Sequence, residues 1–308
     1  MIVVVCPGQG SQTPGFMLPW LDLPAFKTSI ESMQSASGID LMAHGTVSDA
    51  DTIRDTAVAQ PLIVSAGVAT LAALFENSGA VSEKISGVGG HSVGEITAAV
   101  ASGILTAEQG IKFVKERGDA MALAAGLEPT SMAAILGGEQ AVVEARLLEL
   151  GLEPANYNGG GQIVAAGSAA GIGDLQAAGP EGSRVIPLQV AGAFHTRYMA
   201  PAVSTLAAYA AGLTVADPST KLWTNAGGRS ITSGPEFVEL MVNQVKSPVR
   251  WDLCMAAMVE AGVTALIEVA PAGTLVGLAK RSMPGIETLA IKSPENLEAA
   301  ATLIANHA

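Results

Sequence analysis

A serine that could act as a nucleophile lies in residues 90–94, which read Gly-His-Ser-Val-Gly. Valine and glycine precede this string, and Glu95 begins an apolar, alanine-rich run that is typical of a helix. The pattern predicts a sharp turn from a strand into a helix, with Ser92 at its tip. The flanking glycines permit a strained backbone, and the positive end of the new helix would stabilise an oxyanion beside the serine. Such a string also arises by chance in a chain with 35 glycines, so its context carries the prediction.

A general base for this serine should be one of only four histidines. Three of them are poorly placed: His91 is adjacent to the serine, His44 lies in a short connection, and His307 is the residue before the last. His195 remains, just after an apolar run from Val185 to Val190 that predicts a buried strand. A histidine at the end of a buried strand suits acid-base chemistry. The alternative is a packed core histidine that bonds to a backbone carbonyl.

An inward-facing arginine follows from helical periodicity. The segment from Thr106 to about Ala125 opens with a capping box, because Gln109 stands three residues after Thr106. At about 100° per residue, Arg117 falls on the apolar stripe, while the lysines and acidic residues fall on the opposite face. A buried guanidinium requires an anion or other strong acceptor. Its partner is either a buried Asp or Glu or the carboxylate of a substrate, which an arginine can hold with two hydrogen bonds.

Several other kinds of site are disfavoured by the sequence. The N-terminal strand and Gly8-Gln9-Gly10 resemble the start of a dinucleotide-binding unit, but Thr13 stands where its third glycine should be. The chain has no P-loop, no His-Glu-x-x-His and no paired Cys-x-x-Cys, so neither a metal nor a redox cofactor is indicated. The net charge of −12 disfavours nucleic acid as a partner.

Composition predicts a globular protein of one large domain or two, since the 308 residues are 49% hydrophobic. The isolated Cys6 and Cys254 suit a reducing cytoplasm. The start at Met1 has no basic region and only a short apolar run, so we expect no signal peptide. Residues 56–75 carry no charge, but the Gln and Pro near their start favour a core helix beginning at Pro61 over a membrane span.

The rhythm of the chain predicts an α/β protein with an insertion. Residues 1–126 and 197–308 alternate apolar runs with helical patterns, as in a parallel sheet, and Pro248 is expected to open a helix. Residues 127–196 instead read strand, helix, strand, strand, helix, strand, which is the order of a ferredoxin-like unit. The predicted fold class is therefore a hydrolase-like, parallel-sheet large subdomain with an inserted ferredoxin-like (βαββαβ) small subdomain. The cleft between the two is the expected ligand site.

A set of motifs is spread in order over nearly the whole chain: PGQGSQ at 7–12, DTAVAQP at 55–61, GHSVGE at 90–95, the KERG around Arg117, ANYNGGGQIVAAG at 155–167, GAFH at 192–195, QVKSPVRW at 244–251 and ALIEVAPAGTLVGLAKR at 265–281. In order and spacing, this set resembles the malonyl-CoA:acyl carrier protein transacylase family. Family members carry malonyl groups from malonyl-CoA to acyl carrier protein for fatty acid synthesis. The resemblance also implies the arrangement of large and inserted subdomains described above.

The resemblance implies a catalytic role for five positions. Ser92 would take the malonyl group as an ester, and His195 would activate first the serine and then the incoming thiol. A main-chain carbonyl at Gln244 would orient the histidine, so that the site is a dyad without a carboxylate. The backbone N–H groups of Gln9 and Val93 would form the oxyanion hole.

Four further positions are implied to contact the acyl substrate. Arg117 would hold the free malonyl carboxylate, and Gln60 and Asn158, within two of the matching motifs, are expected to bind substrate as well. Phe194 precedes the histidine, where a phenylalanine in related acyltransferases accompanies malonyl and a smaller serine accompanies methylmalonyl. A ring beside the acyl α-carbon would leave no room for a further methyl group. Alternatively, Phe194 only fills the core behind the histidine.

The implied partners are malonyl-CoA, coenzyme A and acyl carrier protein, with no cofactor, no nucleic acid and no membrane. Because acyl carrier protein is acidic like this chain, docking would need a local basic patch. The candidates are Lys246, Arg250, Lys280 and Arg281, unless they form only a solvated face.

Other functions stay open at this point. A serine esterase or thioesterase would share the elbow but would normally place an acid before its histidine. A non-catalytic scaffold would need neither His195 nor Gln9. An acyltransferase of a polyketide synthase or a malonate decarboxylase system would share the whole pattern.

Overall fold

The computed structural model describes residues 1–76, 81–190 and 192–307, and these form a mixed α/β protein with two β-sheets. Eleven strands are present in the described residues: β1 Ile2–Cys6, β2 Gly87–Gly90, β3 Thr130–Gly137, β4 Glu153–Gly159, β5 Gln162–Ser168, β6 Ser183–Pro187, β7 Lys221–Trp223, β8 Ser230–Ile231, β9 Val249–Arg250, β10 Ala265–Glu268 and β11 Glu287–Ala290.

The described residues also form α-helices, which are numbered in chain order: α1 Pro24–Ser37, α2 Leu41–Thr46, α3 Thr56–Leu74, α4 Val81–Lys84, α5 Gly94–Ala101, α6 Ala107–Ala125, α7 Gln140–Glu149, α8 Ala169–Ala177, α9 Ala200–Ala210, α10 Gly234–Gln244, α11 Trp251–Glu260, α12 Thr274–Ser282 and α13 Leu297–His307. Short 3-10 helices occur at Leu18–Trp20, Thr52–Arg54, Arg197–Met199 and Pro294–Asn296.

The larger sheet has six strands in the order β11-β10-β1-β2-β7-β8. All of its neighbouring strands are parallel except the pair β7 and β8, which is antiparallel at the edge. Every residue of β1 is buried, as expected for a central parallel strand with both faces covered. Its alternate side chains enter two different cores: Ile2, Val4 and Cys6 face one, and Val3 and Val5 face the other.

The second sheet has five strands in the order β6-β3-β5-β4-β9. Its first four strands pair antiparallel, and the short β9, from much later in the chain, pairs in parallel with β4. Helices α7 and α8 cover one face and share a small core with it, which includes Ile135, Val143, Leu147 and Leu175. The strands and helices from β3 to β6 follow the order that the sequence predicts.

Three predicted boundaries are wrong. The helix expected to begin at Pro61 begins at Thr56, because the Asp55 side chain accepts a hydrogen bond from the Ala57 N–H and caps an earlier start. Pro248 does not open a helix, because the chain first pairs β9 with β4. The strand expected to reach Val190 ends at Pro187, so His195 lies in a loop well beyond the strand end.

Helix α3 is long and apolar enough to cross a membrane by length and composition alone, but 78% of its most apolar stretch is buried inside the fold. It packs against α1, α5 and α6. The burial agrees with the prediction of a core helix. Helices α3 and α6 together carry two polar side chains, Gln60 and Arg117, to the carboxyl ends of β1 and β2, where the candidate site lies.

Candidate active site

The serine turn has the strained geometry that its flanking glycines predict. Strand β2 ends at Gly90 and helix α5 begins at Gly94, and between them Ser92 adopts a φ of 53°, in the left-handed region that side chains disfavour. A Cβ on Gly94 would lie 2.1 Å from the Cys6 carbonyl oxygen, and one on Gly90 would lie 2.1 Å from the Gly94 carbonyl group. The turn therefore tolerates only glycine at both positions.

Asn225, at the carboxyl end of β7, holds this turn in place. Its side-chain Oδ1 accepts a hydrogen bond from the Ser92 backbone N–H at 2.8 Å, and its Nδ2 donates to the Gly90 carbonyl at 2.7 Å. One buried amide thus satisfies a donor and an acceptor on the two sides of the serine.

His195 lies within hydrogen-bonding distance of the serine. Its Nε2 is 2.7 Å from Ser92 Oγ, and its Nδ1 is 2.8 Å from the main-chain carbonyl oxygen of Gln244. Because a carbonyl can only accept, Nδ1 donates and Nε2 is left to accept the proton of the serine hydroxyl. Burial, reinforced by the charge of Arg117, lowers the pKa of His195 to about 3, so that the imidazole is neutral near pH 7 and ready to act as a base.

Arg117 is buried on the inner face of α6, as the periodicity predicts, and is 1% exposed. Its Nη1 donates to Gln60 Oε1 at 2.6 Å and its Nη2 donates to Gln244 Oε1 at 2.9 Å. Nη2 is also 3.4 Å from Ser92 Oγ. No ion pair among the described residues includes Arg117, so the alternative of a direct Asp or Glu partner is excluded for them. Burial lowers the pKa of Arg117 to about 10, which leaves it charged at pH 7.

These groups open into a cleft of about 240 Å³ between the two sheets. Its walls include five of the predicted substrate and oxyanion positions: Gln9, Gln60, Val93, Asn158 and Phe194. Arg117 and Gln244 do not line the cleft but lie next to Ser92 and His195. The backbone N–H groups of Gln9 and Val93 have no hydrogen-bond acceptor among the described residues. Free donors facing a cleft beside a serine are what an oxyanion requires.

Asn158 on β4 has a partner besides any substrate, because its Oδ1 is 2.8 Å from His91 Nε2. His91 therefore leaves the turn away from the serine, as predicted, and its ring lies edge-on to Trp251. Gly8 approaches the same histidine so closely that a Cβ there would lie 2.9 Å from His91 Nδ1. This close packing brings the Gln9 backbone beside the serine turn.

Comparison with known proteins agrees with this arrangement. The family model that describes the acyl transferase domain matches residues 3–298 of the sequence. The chain is 44% identical over 303 residues to a malonyl CoA-acyl carrier protein transacylase of Mycobacterium bovis, which covers 98% of this chain and all of the relative. The chain belongs to this family of acyl transferases. The family resemblance predicted from the motifs is thereby confirmed.

Solved structures of the family share the fold. The crystal structure of MCAT from Mycobacterium tuberculosis matches this acyl transferase with a TM-score of 0.94 at 44% identity, over 98% of this chain and 99% of that one. The malonyl-transacylase PlMCAT, solved in complex with AntF, a type II polyketide synthase acyl-carrier protein, matches with a TM-score of 0.91 at 28% identity, over 98% and 99% of the two chains.

Two polar residues of this acyl transferase site are not among the residues predicted from the sequence. Asn225 could have been found, since a polar residue that ends a parallel strand next to the serine strand must face the turn. Glu95, the last residue of the GHSVGE motif, is 1% exposed and carries a buried carboxylate. An acidic residue in the first turn of a helix is ordinarily read as a favourable partner of the helix dipole at the surface. Its burial depends on distant elements that converge on it.

Proposed function

We propose that this chain transfers the malonyl group of malonyl-CoA to the phosphopantetheine thiol of acyl carrier protein, in fatty acid synthesis, through a covalent ester on Ser92. The observation that carries the proposal is the position of Arg117, a buried cation with only neutral hydrogen-bond partners, whose Nη2 lies 3.4 Å from the serine hydroxyl. A nucleophile next to a guanidinium that has no direct anionic partner suits an acyl group that ends in a carboxylate.

The first half-reaction uses the dyad. Ser92 Oγ attacks the thioester carbonyl while His195 Nε2 takes the hydroxyl proton, and the carbonyl oxygen becomes an oxyanion that the N–H groups of Gln9 and Val93 stabilise. When the intermediate collapses, the C–S bond breaks and His195 returns the proton to the departing thiolate. Coenzyme A leaves and the malonyl group stays on the serine as an ester.

The second half-reaction reverses these steps with a different thiol. His195 takes the proton of the phosphopantetheine thiol, the sulfur attacks the ester carbonyl, and the C–O bond to Ser92 breaks with return of the proton to its oxygen. The Gln244 carbonyl keeps the imidazole oriented throughout, at 2.8 Å from Nδ1. The scheme uses protein groups alone and needs no cofactor.

The acyl group would lie between the dyad and Arg117. Its free carboxylate binds the guanidinium beside the amide acceptors of Gln60 and Gln244, and Asn158 lines the cleft nearby. Phe194 is 7% exposed and its side chain also lines the cleft, which supports a role in limiting the size of the acyl group at its α-carbon.

Acyl carrier protein would dock on exposed lysines and arginines beside the cleft. Lys280 and Arg281 end α12, which lines the cleft, and Lys246 follows Gln244 by two residues. None of the three forms an ion pair among the described residues, in contrast to Arg250, which donates two hydrogen bonds to Asp252. We therefore retain the first three as the docking patch and leave Arg250 out.

The subdomain division is part of the same proposal. Residues 1–126 and 197–308 would form a hydrolase-like catalytic subdomain, and residues 127–196 a ferredoxin-like insertion. The antiparallel order β6-β3-β5-β4 supports the insertion, and the parallel β9 would tie it to the large subdomain. A cytoplasmic location is supported by the buried, unpaired thiols of Cys6 and Cys254.

The function is tested by supplying malonyl-CoA and acyl carrier protein that bears phosphopantetheine. A transferase should form malonyl-acyl carrier protein much faster than free malonate. Rapid hydrolysis whether or not the carrier is present would instead indicate a thioesterase, and no turnover of either kind would indicate a scaffold.

A further inference from the structure

Glu95 is a buried carboxylate in the centre of the site that no chemical step above uses. It lies in the first turn of α5, three residues after the nucleophile, and is 1% exposed. Burying a carboxylate costs several kcal/mol unless hydrogen bonds and charges compensate for the lost hydration. We therefore expect hydrogen bonds or charges around Glu95 that compensate for this cost.

Both carboxylate oxygens of Glu95 accept hydrogen bonds from nitrogen donors. Oε1 accepts from the Asn225 backbone N–H at 2.6 Å, and Oε2 accepts from the side-chain Nε2 of Gln244. Neither nitrogen can act as an acceptor, and the ionised carboxylate, which only accepts, satisfies both donors most strongly. A protonated acid would accept both bonds more weakly, and a glutamine at this position would turn its NH2 toward one of the two donors.

The bond between Glu95 and Gln244 is the charged member of a set that fixes which end of that amide faces Arg117; the same Nε2 also donates to the Ser92 carbonyl oxygen at 3.3 Å and to Asn225 Oδ1 at 3.2 Å. Since Nε2 is bound to Glu95, Oε1 faces the guanidinium and accepts from Nη2 at 2.9 Å. The opposite orientation of the amide would set an NH2 donor against a guanidinium donor. Nη1 has its own neutral acceptor in Gln60. Arg117 is thus held by two amide carbonyl oxygens. The negative charge that compensates it is that of Glu95, on the far side of the Gln244 side chain.

This indirect arrangement keeps the guanidinium available. A carboxylate in direct contact with Arg117 would form an ion pair that a substrate carboxylate would have to displace. Behind Gln244, the charge of Glu95 still favours the buried cation through space, and Arg117 in turn lowers the pKa of Glu95. The amide separates the two charges and leaves the front of the guanidinium for a second anion.

We propose that Glu95 is a positioning residue for malonyl selection, which acts through the Gln244 amide to hold Arg117 in the orientation that binds the free carboxylate of the substrate. This inference rests on the proposed function, malonyl transfer through Ser92.

The pH dependence of the site gives this role a measurable signature. Burial raises the pKa of Glu95 to about 7, against hydrogen bonds from Asn225 and Thr224 that lower it. Burial lowers the pKa of His195 to about 3 and that of Arg117 to about 10, so neither changes its charge between about pH 6 and about pH 8. Burial also lowers the pKa of His91 and raises that of the Cys254 thiol, which favours the neutral form of both. Glu95, with a pKa of about 7, is therefore expected to change its charge in this range.

Loss of the fold does not account for an activity change in that range. The pKa of Glu95 is higher in the folded protein than its ordinary value of 4.5, so the folded state binds the proton more tightly. The contribution of Glu95 to folding stability is therefore full below about pH 4.5 and is lost as the pH rises through about 7. Acidification should weaken malonyl binding while it favours the fold at this position.

The experiment compares Ser92 acylation by malonyl-CoA and by acetyl-CoA in the full chain, as kcat and KM against pH. In the wild-type protein, kcat/KM for malonyl-CoA should fall by up to about tenfold per pH unit below about pH 7, while the acetyl-CoA value should stay level. In Glu95→Gln, the malonyl value should be lower by about 10- to 100-fold at pH 8, mainly through KM, and nearly independent of pH. The acetyl value should change by less than about threefold.

Glu268→Gln is the matched control, because Glu268 is equally buried and accepts backbone N–H groups of Gly273, Leu275 and Val276 at the start of α12. It should leave the malonyl-to-acetyl ratio unchanged. An equal loss with both substrates in Glu95→Gln would overturn the proposal and assign Glu95 to the fold alone. A wild-type ratio that does not move between about pH 8 and about pH 6 would overturn it without any variant. Failure of the wild-type Ser92 to accept malonyl would instead contradict the proposed function.

Discussion

The proposed preference for malonyl over acetyl depends on a single guanidinium, that of Arg117. Arg117 is charged and 1% exposed, and it donates hydrogen bonds only to neutral groups. It can therefore still attract an anion. An acetyl group would leave it as it is, whereas a malonyl group would supply a carboxylate. The difference between these two substrates should therefore depend on Arg117 more than on the dyad.

Replacing Arg117 with Ala tests this difference. A charge-assisted hydrogen bond contributes about 1.5 to 3 kcal/mol, so malonyl acylation should fall by about 10- to 100-fold or more while acetyl acylation is retained or gains. Arg117→Lys should recover only part of the loss, because an ammonium cannot reproduce the two-pronged geometry. The measurement is kcat/KM for both thioesters. An unchanged malonyl-to-acetyl preference in Arg117→Ala would make the arginine structural.

Phe194 should set the upper limit on acyl size. Its ring lines the cleft beside His195, and an extra methyl group on the acyl α-carbon would overpack that space at a cost of about 1 to 3 kcal/mol. We expect the wild-type protein to prefer malonyl-CoA over methylmalonyl-CoA by about ten- to a hundredfold. Phe194→Ser should narrow the gap and keep acylation by malonyl-CoA largely intact. An unchanged ratio of the two kcat/KM values would show that another residue limits the pocket.

At the scale of elements, the serine turn depends on close packing between β1, β2 and α5. Gly94 touches β1 so closely that any side chain would collide with the Cys6 carbonyl. The strained φ of Ser92 persists because Asn225, from the neighbouring β7, bonds to both sides of the turn. Ser92 is therefore positioned by contacts from three parallel strands and not by its own segment alone.

Gly94→Ala should consequently lower both stability and acylation. The overlap with β1 forces a backbone shift that costs about 1 to 3 kcal/mol or more, which corresponds to a fall in Tm of about 2 to 5 °C or more. Gly173→Ala is the matched control, because Gly173 lies within α8 and a Cβ there meets nothing within 4 Å. It should keep or slightly raise Tm. Equal Tm values for the two variants, from thermal unfolding, would contradict the packing argument.

The local sequence was sufficient for the elements and for part of the site. The glycine pattern predicted the serine turn, helical periodicity predicted the inward Arg117, and the small number of histidines singled out His195. The ends of elements were less predictable, as with β6 and α3, because caps and strand partners set them. The bonds among Glu95, Asn225 and Gln244 join residues 19 to 149 positions apart, and no local pattern encodes such contacts.

The negative charge of the whole molecule opposes binding of an acidic carrier, so a local basic surface must supply the attraction. The net charge of −12 repels an acidic carrier at long range, so association should depend on the patch of Lys246, Lys280 and Arg281. Attraction between a small patch and an acidic protein is screened by salt, with a Debye length of about 10 Å at 0.1 M. The KM for the carrier should therefore rise with ionic strength.

Charge reversal at the patch should weaken carrier use without touching acylation. Lys280→Glu should raise the KM for acyl carrier protein by about tenfold, through loss of steering, and leave malonylation of Ser92 by malonyl-CoA unchanged. Lys27→Glu is the control of equal charge change, since Lys27 is exposed on α1, which contributes no residue to the cleft. Equal KM values for the two variants would remove Lys280 from the docking surface.

Mass spectrometry of the protein after brief exposure to malonyl-CoA shows whether Ser92 carries the malonyl group and whether His195 is its base. We expect one malonyl adduct on Ser92 in the wild-type protein, none in Ser92→Ala, and formation slowed by about 100- to 10,000-fold in His195→Ala. A malonyl adduct of undiminished yield in Ser92→Ala would show that another residue carries the acyl group.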